Sequence, residues 1–465
     1  MTTEHGDQGR IVVSADLARL TLEAGHCPAL HHLAAANPEV FPALLESSAG
    51  AAAQSRYDIL LADPERVIKA EDFDDPAAFF DVLDELAAQS NAAGHDDLPF
   101  IGGWLIYLSY EMAQGVEPSL HLPIADDPLP MAMALRCTSA IVHDRQRHTV
   151  DIISEAGDDR RVEALRAELA AVSRIGPYSG PPSDAPLAAW HEDPPTHYTD
   201  AVTQAREYIR AGDVFQTNLA RAWQGELQHD CTPADVYRAL RASNPAPFSA
   251  LVQWQGAALV CSSPERLLSI RGGRASVRPI AGTRRRYPGA EQRISRELIT
   301  HPKERAEHVM LIDLVRNDLG RFCRPGTIEV DELMIVESYA HVHHIVSNVA
   351  GELASDIGPG AALKAVFPGG TITGCPKVRC MEIIAELETV GRGAYTGSVG
   401  YLSRCGTLDT NIVIRSITQK GRQMTLRAGA GIVADSEPQA ELEETRHKAH
   451  GVLRAFAWPQ GQSRG

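Results

Sequence analysis

Two hydrophobic periods alternate along the chain. Short apolar runs such as YDILLA (Tyr57–Ala62) predict strands, and PAAFFDVLDELAAQS (Pro76–Ser90) carries apolar residues at helical spacing, so the N-terminal part reads as mixed α/β. Further on, THYTDAVTQAREYIRAGD predicts an amphipathic helix. Thr or Asp stands at its start, Val202, Ala205 and Ile209 line one face, and Gly212 follows its end. The next run, VFQTNLARAW, alternates with a period of two and predicts a strand. Gln216 and Asn218 fall on one face, and Phe215, Thr217 and Leu219 on the other. Taken alone, the Gln216/Asn218 face reads as polar and turned to solvent.

Two more helices carry acidic residues in register. HPKERAEHVMLIDLVRNDLG has Pro302 in the first turn, where a missing amide costs least, and runs to Gly320, with Glu304 and Glu307 on one face. EPQAELEETRHKAHGVLRAF repeats the arrangement with Glu441 and Glu444, and Lys448 stands one turn beyond. Brought together, the two pairs would suit a hard divalent cation such as Mg²⁺, which takes oxygen ligands. A lone pair reads first as a solvated helix face with Lys or Arg partners, and spacing by itself does not establish a metal site. Between these helices lie FPGGTITGCPK (Phe367–Lys377) and RAGAGIVAD (Arg427–Asp435), glycine-rich segments that expose amides to an anion or simply turn. Neither matches the phosphate-loop or dinucleotide pattern, so a carboxylated ligand fits better than a nucleotide.

Residues 176–195 concentrate Gly, Pro, Ser and Asp without periodicity. They predict a linker or long exposed loop between an N-terminal region, 11–175, and a C-terminal domain, 196–457. With 465 residues and 44% apolar content the chain can bury a large core. A formal charge of -16 argues against non-specific nucleic-acid binding, which needs a basic face. The eight cysteines are scattered without a C-x-x-C pair and read as reduced thiols of a cytoplasmic protein. No run approaches the roughly 18 to 20 apolar residues of a membrane span. The start, MTTEHGDQGR, lacks the basic-then-apolar pattern of an export signal, so a soluble, unexported protein is expected. On these features alone the expectation is a Mg²⁺-dependent enzyme acting on a small carboxylate or phosphate.

The combination of motifs is more specific than any part. GDVFQTNLAR, SSPERLL, PIAGTR, ERAEHVMLIDLVRNDLGR, HIVS, FPGGTITGCPKVRCMEII, GSVGYL, DTNIVIRS, GAGIVADS and AELEETRHK occur in this order. Together they resemble the chorismate-binding enzymes, the group of anthranilate, aminodeoxychorismate, isochorismate and salicylate synthases. The resemblance implies an α/β (α+β) fold, a large two-subdomain sandwich with extensive antiparallel sheets and outer helices, and an active site in the C-terminal part. It implies that Glu304, Glu307, Glu441 and Glu444 form the Mg²⁺ cluster, with Glu307 and Glu444 as direct ligands, and that the cation meets the ring carboxylate of chorismate. Tyr395, Arg415 and Lys448, with the amides of Gly429, Ala430 and Gly431, would hold the carboxylates. Thr283 and His344 would line the ring. Glu265, in SSPER, matches the family's general acid. Loss of the C4 hydroxyl needs a proton as the C–O bond breaks, which asks for a carboxyl buried enough to stay protonated. Outside the resemblance the same Glu reads as a surface acid.

Position 216 bears on the nucleophile. Water-using members have a Lys base where this chain has Gln216, and a neutral amide cannot act as that base, so ammonia is expected. None of the cysteines lies in the G-x-C-x-G turn of a glutamine-hydrolysing subunit, which implies a separate glutamine amidotransferase partner. Two ammonia-using branches remain. The aminodeoxychorismate branch, which serves 4-aminobenzoate and folate synthesis, usually shows PIKGT with a lysine that adds to the ring, whereas the anthranilate branch shows PIAGT, so Ala281 points to anthranilate. SRYDILLADP, NPAPFSA, FQTNLAR, SSPERLL, IDLVRND, FPGGTITG and AYTGSVGYLSRCG point the other way. The anthranilate pattern has NPSPYMF, FQVVLSQ, SPEVLV, DLGRND and FPAGTVSG instead. Distributed matches outweigh one position, and amination at C4 is expected. Amination at C2, or a non-catalytic tryptophan- or partner-binding homologue, are the alternatives. LLES and NPAPF resemble the segments of a tryptophan pocket, with Ser47, Pro247 and Phe248 as its candidates. The arginines 284–286 are expected to form an exposed basic patch facing the partner.

Overall fold

Four strands of the N-terminal region build one antiparallel ladder: β1 (Ala43–Glu46), β2 (Tyr57–Lys69), β3 (Gly103–Leu108) and β4 (Ala132–Asp144), in the order β1-β2-β4-β3. YDILLA is the front half of β2, and the helix expected after it spans Ala78–Ala88. This computed structural model describes residues 9–24, 30–48, 56–90, 92, 95, 97–175, 188–228, 231–286, 293, 297, 298, 300–338 and 342–456. Every residue of β3 is buried, because alternate side chains feed different cores. Trp104, Ile106 and Leu108 join one apolar cluster, and Leu105 and Tyr107 another.

The C-terminal part adds helix α1 (Pro195–Ala211), β5 (Gln216–Leu227), β6 (Phe248–Trp254), β7 (Ile280–Arg285), α2 (Pro302–Gly320), β8 (Val342–Glu352), α3 (Lys377–Glu388), β9 (Ser398–Ser403), β10 (Gln423–Ile432) and α4 (Pro438–Leu453). Gly212 closes α1 in the left-handed region, as its sequence predicts, but the N-cap is Pro194 with no side-chain bond. The two regions share one hydrogen-bonded sheet network. β1 pairs with β6, Leu45 opposite Ala250, and β3 pairs with β9, Leu108 opposite Ser398. The sheets with helices outside them match the expected α/β class.

Two expectations change. Of the linker read over 176–195, residues 176–187 lie outside the described residues, but Ala188–Glu192 is a strand and Pro195 already opens α1. That strand pairs with β5, where a β-carbon on Gly225 would lie 2.7 Å from the Trp190 ring, so glycine makes the seat for the indole. RAGAGIVAD is not a loop. Most of it is the end of β10, in register with β5: Gly431 stands opposite Asn218 and Gly429 opposite Ala220.

A residue that no periodicity marks ties these parts together. The buried Arg392 guanidinium donates to Glu388 Oε1 at 2.5 Å and Oε2 at 3.0 Å, to the Asn218 carbonyl at 2.8 Å and to the Ile372 carbonyl at 3.1 Å. Glu388 Oε1 also accepts from the Ala220 amide at 2.8 Å. The pair joins the end of α3, the turn at Gly370–Ile372 and β5. Arg392→Met would leave the Glu388 carboxylate buried without its counter-charge, and is expected to destabilise the fold by about 3–5 kcal/mol. The urea unfolding midpoint measures it.

Candidate active site

On the β5/β10 ladder, Gln216 and Asn218 are each only 9% exposed, which overturns the solvent-facing reading. The neighbouring strand carries no side chains on this face at the same level, so the two amides lie across its backbone. A β-carbon on Gly431 would lie 2.4 Å from Gln216 Nε2, and one on Gly429 would lie 2.8 Å from Asn218 Oδ1 and 3.0 Å from the Tyr395 hydroxyl. Glycine is required at 429, where a β-carbon would also lie 2.6 Å from the Leu219 carbonyl oxygen, whereas at 431 it makes the seat for the Gln216 amide. Ala430, between them, turns its side chain to the opposite face and packs in the apolar core that includes Leu219. The Gln216 Oε1 and Asn218 Oδ1 atoms are buried without a hydrogen-bond partner. The Gly429 amide reaches the Tyr395 hydroxyl, and burial pushes that phenol up to about 12, so it stays protonated near neutral pH.

Glu265 is buried where the short connection between the strands Ala257–Ser263 and Arg266–Arg271 meets the Gly370–Ile372 turn. Its Oε1 accepts from Thr371 Oγ1 at 2.6 Å. Burial raises its pKa to about 7, against the opposing pull of the Thr371 hydroxyl, Arg415 and Lys448. A surface acid would show no such shift. Arg415 sits at a φ of 51°, and burial lowers its pKa while Glu265 acts in the other direction. His344 is buried beside Arg415, and burial followed by that guanidinium lowers its pKa to about 3. It is a neutral imidazole near pH 7, held by the backbone of Gly282.

The PIAGT segment forms β7 with a bulge. Ala281 pairs with Ile345 and Thr283 with His344, leaving Gly282 as the extra residue at a φ of 61°. A β-carbon on Gly282 would lie 2.9 Å from Glu304 Oε2, so the glycine serves both the backbone and the packing of α2. Ala281 is buried. The Thr283 side chain lies outside the described residues.

The acidic pairs occupy the start of α2 and of α4. Glu304 pairs with Arg284 at 3.0 Å, and Glu444 with Lys448 at 2.8 Å. Glu307 and Glu441 are half-buried. Lys448 also donates to the Gly429 carbonyl at 2.9 Å, which carries α4 to the β10 glycines. Among the described residues no three His, Cys, Asp or Glu side chains gather as a ready metal site. The donor set is nevertheless all carboxylate oxygen, the chemistry a hard cation takes, and such a cation would compete with Arg284 and Lys448 for two of the four. Arg284 is thus an ion-pair partner of α2 and not simply part of an exposed patch. Arg286 is exposed, and the Arg285 side chain lies outside the described residues.

A chorismate binding enzyme family model matches residues 29–454. The chain belongs to the chorismate-binding enzyme family. It is 41% identical over 363 residues to an anthranilate synthase component I-like protein of Synechocystis sp., covering 78% of this chain and 74% of that one. It is 39% identical over 443 residues to aminodeoxychorismate synthase component 1 of Bacillus subtilis, covering 89% and 91%. The crystal structure of anthranilate synthase component I from Streptococcus pneumoniae TIGR4 superposes with a TM-score of 0.75 at 32% identity, covering 87% of this chain and 93% of that one. The relatives' names divide between anthranilate synthase and aminodeoxychorismate synthase, as the motifs do.

In this chorismate-binding enzyme Ser47, Pro247 and Phe248 line a cavity of about 240 Å³ with Arg56, Tyr57 and Asn411, and Ser47 Oγ donates to the Pro247 carbonyl at 2.8 Å. Arg266, the residue after Glu265, also lines it. A wider cavity of about 670 Å³ opens beside Tyr395 and Arg427. No helix among the described residues is long and apolar enough to cross a membrane, and the seven described cysteines are free.

Sequence reasoning missed Thr371 and Arg392. Thr371 lies in a quoted motif, FPGGTITG, but its contact with Glu265 crosses 106 positions and has no local signal. Thr371→Val removes a donor that favours the ionised carboxylate. Isotope-edited NMR of the Glu265 carboxyl is expected to show a midpoint near 7 in the parent protein and a higher one in the variant.

Proposed function

We propose that the protein is component I of an aminodeoxychorismate synthase, aminating chorismate at C4 with ammonia from a separate glutamine amidotransferase. Glu265, buried with its Oε1 accepting from Thr371 Oγ1 and its pKa raised by burial to about 7, supports a reaction that expels the C4 hydroxyl of chorismate, and the distributed motifs carry the choice of C4 amination. A carboxyl half protonated near neutral pH can donate to a leaving hydroxyl. The distributed motifs favour C4 chemistry, and Gln216 stands where a water-activating lysine would be.

In the proposed reaction Arg415, Tyr395 and Lys448 orient the carboxylates of chorismate, and His344, neutral, lines the ring with Thr283. Mg²⁺, when bound by Glu304, Glu307, Glu441 and Glu444, supplies positive charge to the ring carboxylate. Glu265 gives its proton to the C4 oxygen as the C–O bond breaks, and the hydroxyl leaves as water. The ammonia lone pair forms the new C–N bond, and the surplus proton on nitrogen returns to the Glu265 carboxylate. Atoms and charge balance as chorismate plus ammonia giving 4-amino-4-deoxychorismate plus water. The cavity at Ser47, Pro247 and Phe248 is proposed as an aromatic amino-acid pocket, with tryptophan its expected occupant.

Ala281 favours the second reading, anthranilate synthase component I, because it leaves no amine beside the ring. Incubation with chorismate, Mg²⁺ and ammonium separates them. The expected product is 4-amino-4-deoxychorismate, giving 4-aminobenzoate and pyruvate only after a lyase is added. Fluorescent anthranilate would select the second reading, and no consumption of chorismate with or without the partner would favour a non-catalytic homologue. Glu307→Gln is expected to abolish turnover at ordinary Mg²⁺, and a Mg²⁺ titration unchanged from the parent would refute its role as ligand.

A further inference from the structure

Helix α2 turns one stripe to the core: His308, Leu311, Ile312, Val315 and Leu319, spaced as successive turns of one face. Four are apolar. His308 is the polar member, fully buried in the part of the helix that carries Glu304 and Glu307. Its Nε2 is hydrogen-bonded with Ser347 Oγ on β8 at 2.7 Å, across 39 positions of sequence. Ser347 is itself fully buried and is held on two further sides. Its Oγ accepts from the Met334 amide at 2.9 Å, and its own amide donates to the Pro279 carbonyl at 3.3 Å. Pro279 leads directly into β7, and His344 stands three residues before Ser347 on β8. The histidine thus joins the helix of one acidic pair to the strands that carry Ala281, Thr283 and His344.

Apolar burial alone does not set this helix finely. It is non-directional, so the four apolar residues stay buried through a small rotation about the helix axis, whereas a hydrogen bond does not survive it unchanged. Side-chain tips lie about 5–6 Å from a helix axis, so a rotation of about 10° carries a carboxylate about 1 Å. That is large for Mg²⁺, which asks for oxygens at about 2.0–2.1 Å in near-ideal octahedral geometry. Near its C-terminal end α2 is tied by Asp318, which accepts from Lys377 at 2.9 Å. Towards its start Glu304 pairs with Arg284, and a bound cation would compete for that carboxylate. The bond from His308 to Ser347 is one that cation binding leaves in place.

We propose that His308 is a positioning residue that, through Ser347, sets the rotation of α2 and so aims Glu304 and Glu307 at the cation. Glu304 lies one turn before it on the same face, and Glu307 is its neighbour in sequence. A single polar residue in an otherwise apolar helix stripe specifies register at a cost in stability, and His308 has that place here. The proposal rests on the reading of the four glutamates as the Mg²⁺ site.

The test is Mn²⁺ binding to the full chain, with the free ion counted by electron paramagnetic resonance, alongside turnover of chorismate against Mg²⁺. His308→Leu keeps the stripe apolar and removes the bond. The Mn²⁺ Kd and the Mg²⁺ concentration for half-maximal turnover are both expected to rise about tenfold, and the turnover lost at low Mg²⁺ should recover as Mg²⁺ is raised. His308→Gln, whose amide can take the place of Nε2 beside Ser347, should hold both constants within about threefold of the parent. Ser347→Ala removes the other half of the bond with a smaller change of volume. It should raise both constants as His308→Leu does, and the double variant should show no further rise. Unchanged constants in Ser347→Ala or in a folded His308→Leu, additive effects in the double variant, or a loss of turnover that Mg²⁺ does not recover overturns the proposal. A Mn²⁺ Kd that Glu307→Gln leaves unchanged would instead overturn the metal reading, and the proposal with it.

Discussion

The buried ion pair of Arg392 and Glu388 is the constraint on which the rest of the site depends. Each charge alone would be costly in the interior, and together they are tolerated only because the remaining donors and acceptors are used. Those remaining bonds are what organise the region. One guanidinium holds the carbonyls of Asn218 and Ile372, and one carboxylate holds the Ala220 amide. The strand that carries Gln216 and Asn218 and the turn that carries Thr371 are therefore tied by this pair of side chains in addition to the backbone bond from the Asn218 amide to the Thr373 carbonyl. Tyr395 lies three residues past Arg392, with its ring 5.8 Å from the guanidinium.

Glycine does the complementary work of keeping the space open. At Gly429 and Gly431 any β-carbon would fill the face that the two amides look onto, and at Gly282 it would strike Glu304. The first two let the Gln216 and Asn218 amides and the Tyr395 hydroxyl pack against the strand. The third lets a bulge form in β7, so that Ala281 and Thr283 lie on either side of an irregularity in the ladder to β8. Around this space the charges are unequal: Arg415 and Lys448 are cationic, and Glu265 is kept near the point of half protonation by burial working against them. A negatively charged, carboxylated ligand is the natural complement of that field.

Much of the fold was legible from local pattern. The helices that begin at Pro302 and Pro438, the αL stop at Gly212 and the strand from Gln216 follow from proline, glycine and hydrophobic periodicity, which act within a few residues. The places where the pattern misled are those where burial came from a distant strand. Gln216 and Asn218 looked solvated because alternation cannot report what surrounds a face, and the β10 glycines across which they lie are more than 200 positions away. RAGAGIVAD read as an anion cradle or a turn because its glycines, which serve close approach within a ladder, look the same along the chain. Arg284 looked like part of an exposed patch because its partner, Glu304, lies on another element.

By itself the sequence determined the family, the α/β class and the candidate acids and anion-binding positions, since ordered motifs and short-range periodicity are properties of the chain. Only the tertiary structure decided which of those groups are chemically altered. Glu265 becomes an acid with a pKa of about 7 because the fold removes water from it, and His344 becomes a neutral ring for the same reason. Thr371 and Arg392 acquire their roles from contacts across the sheet. Desolvation and long-range hydrogen bonding depend on what surrounds a residue in space, and no reading along the chain contains that.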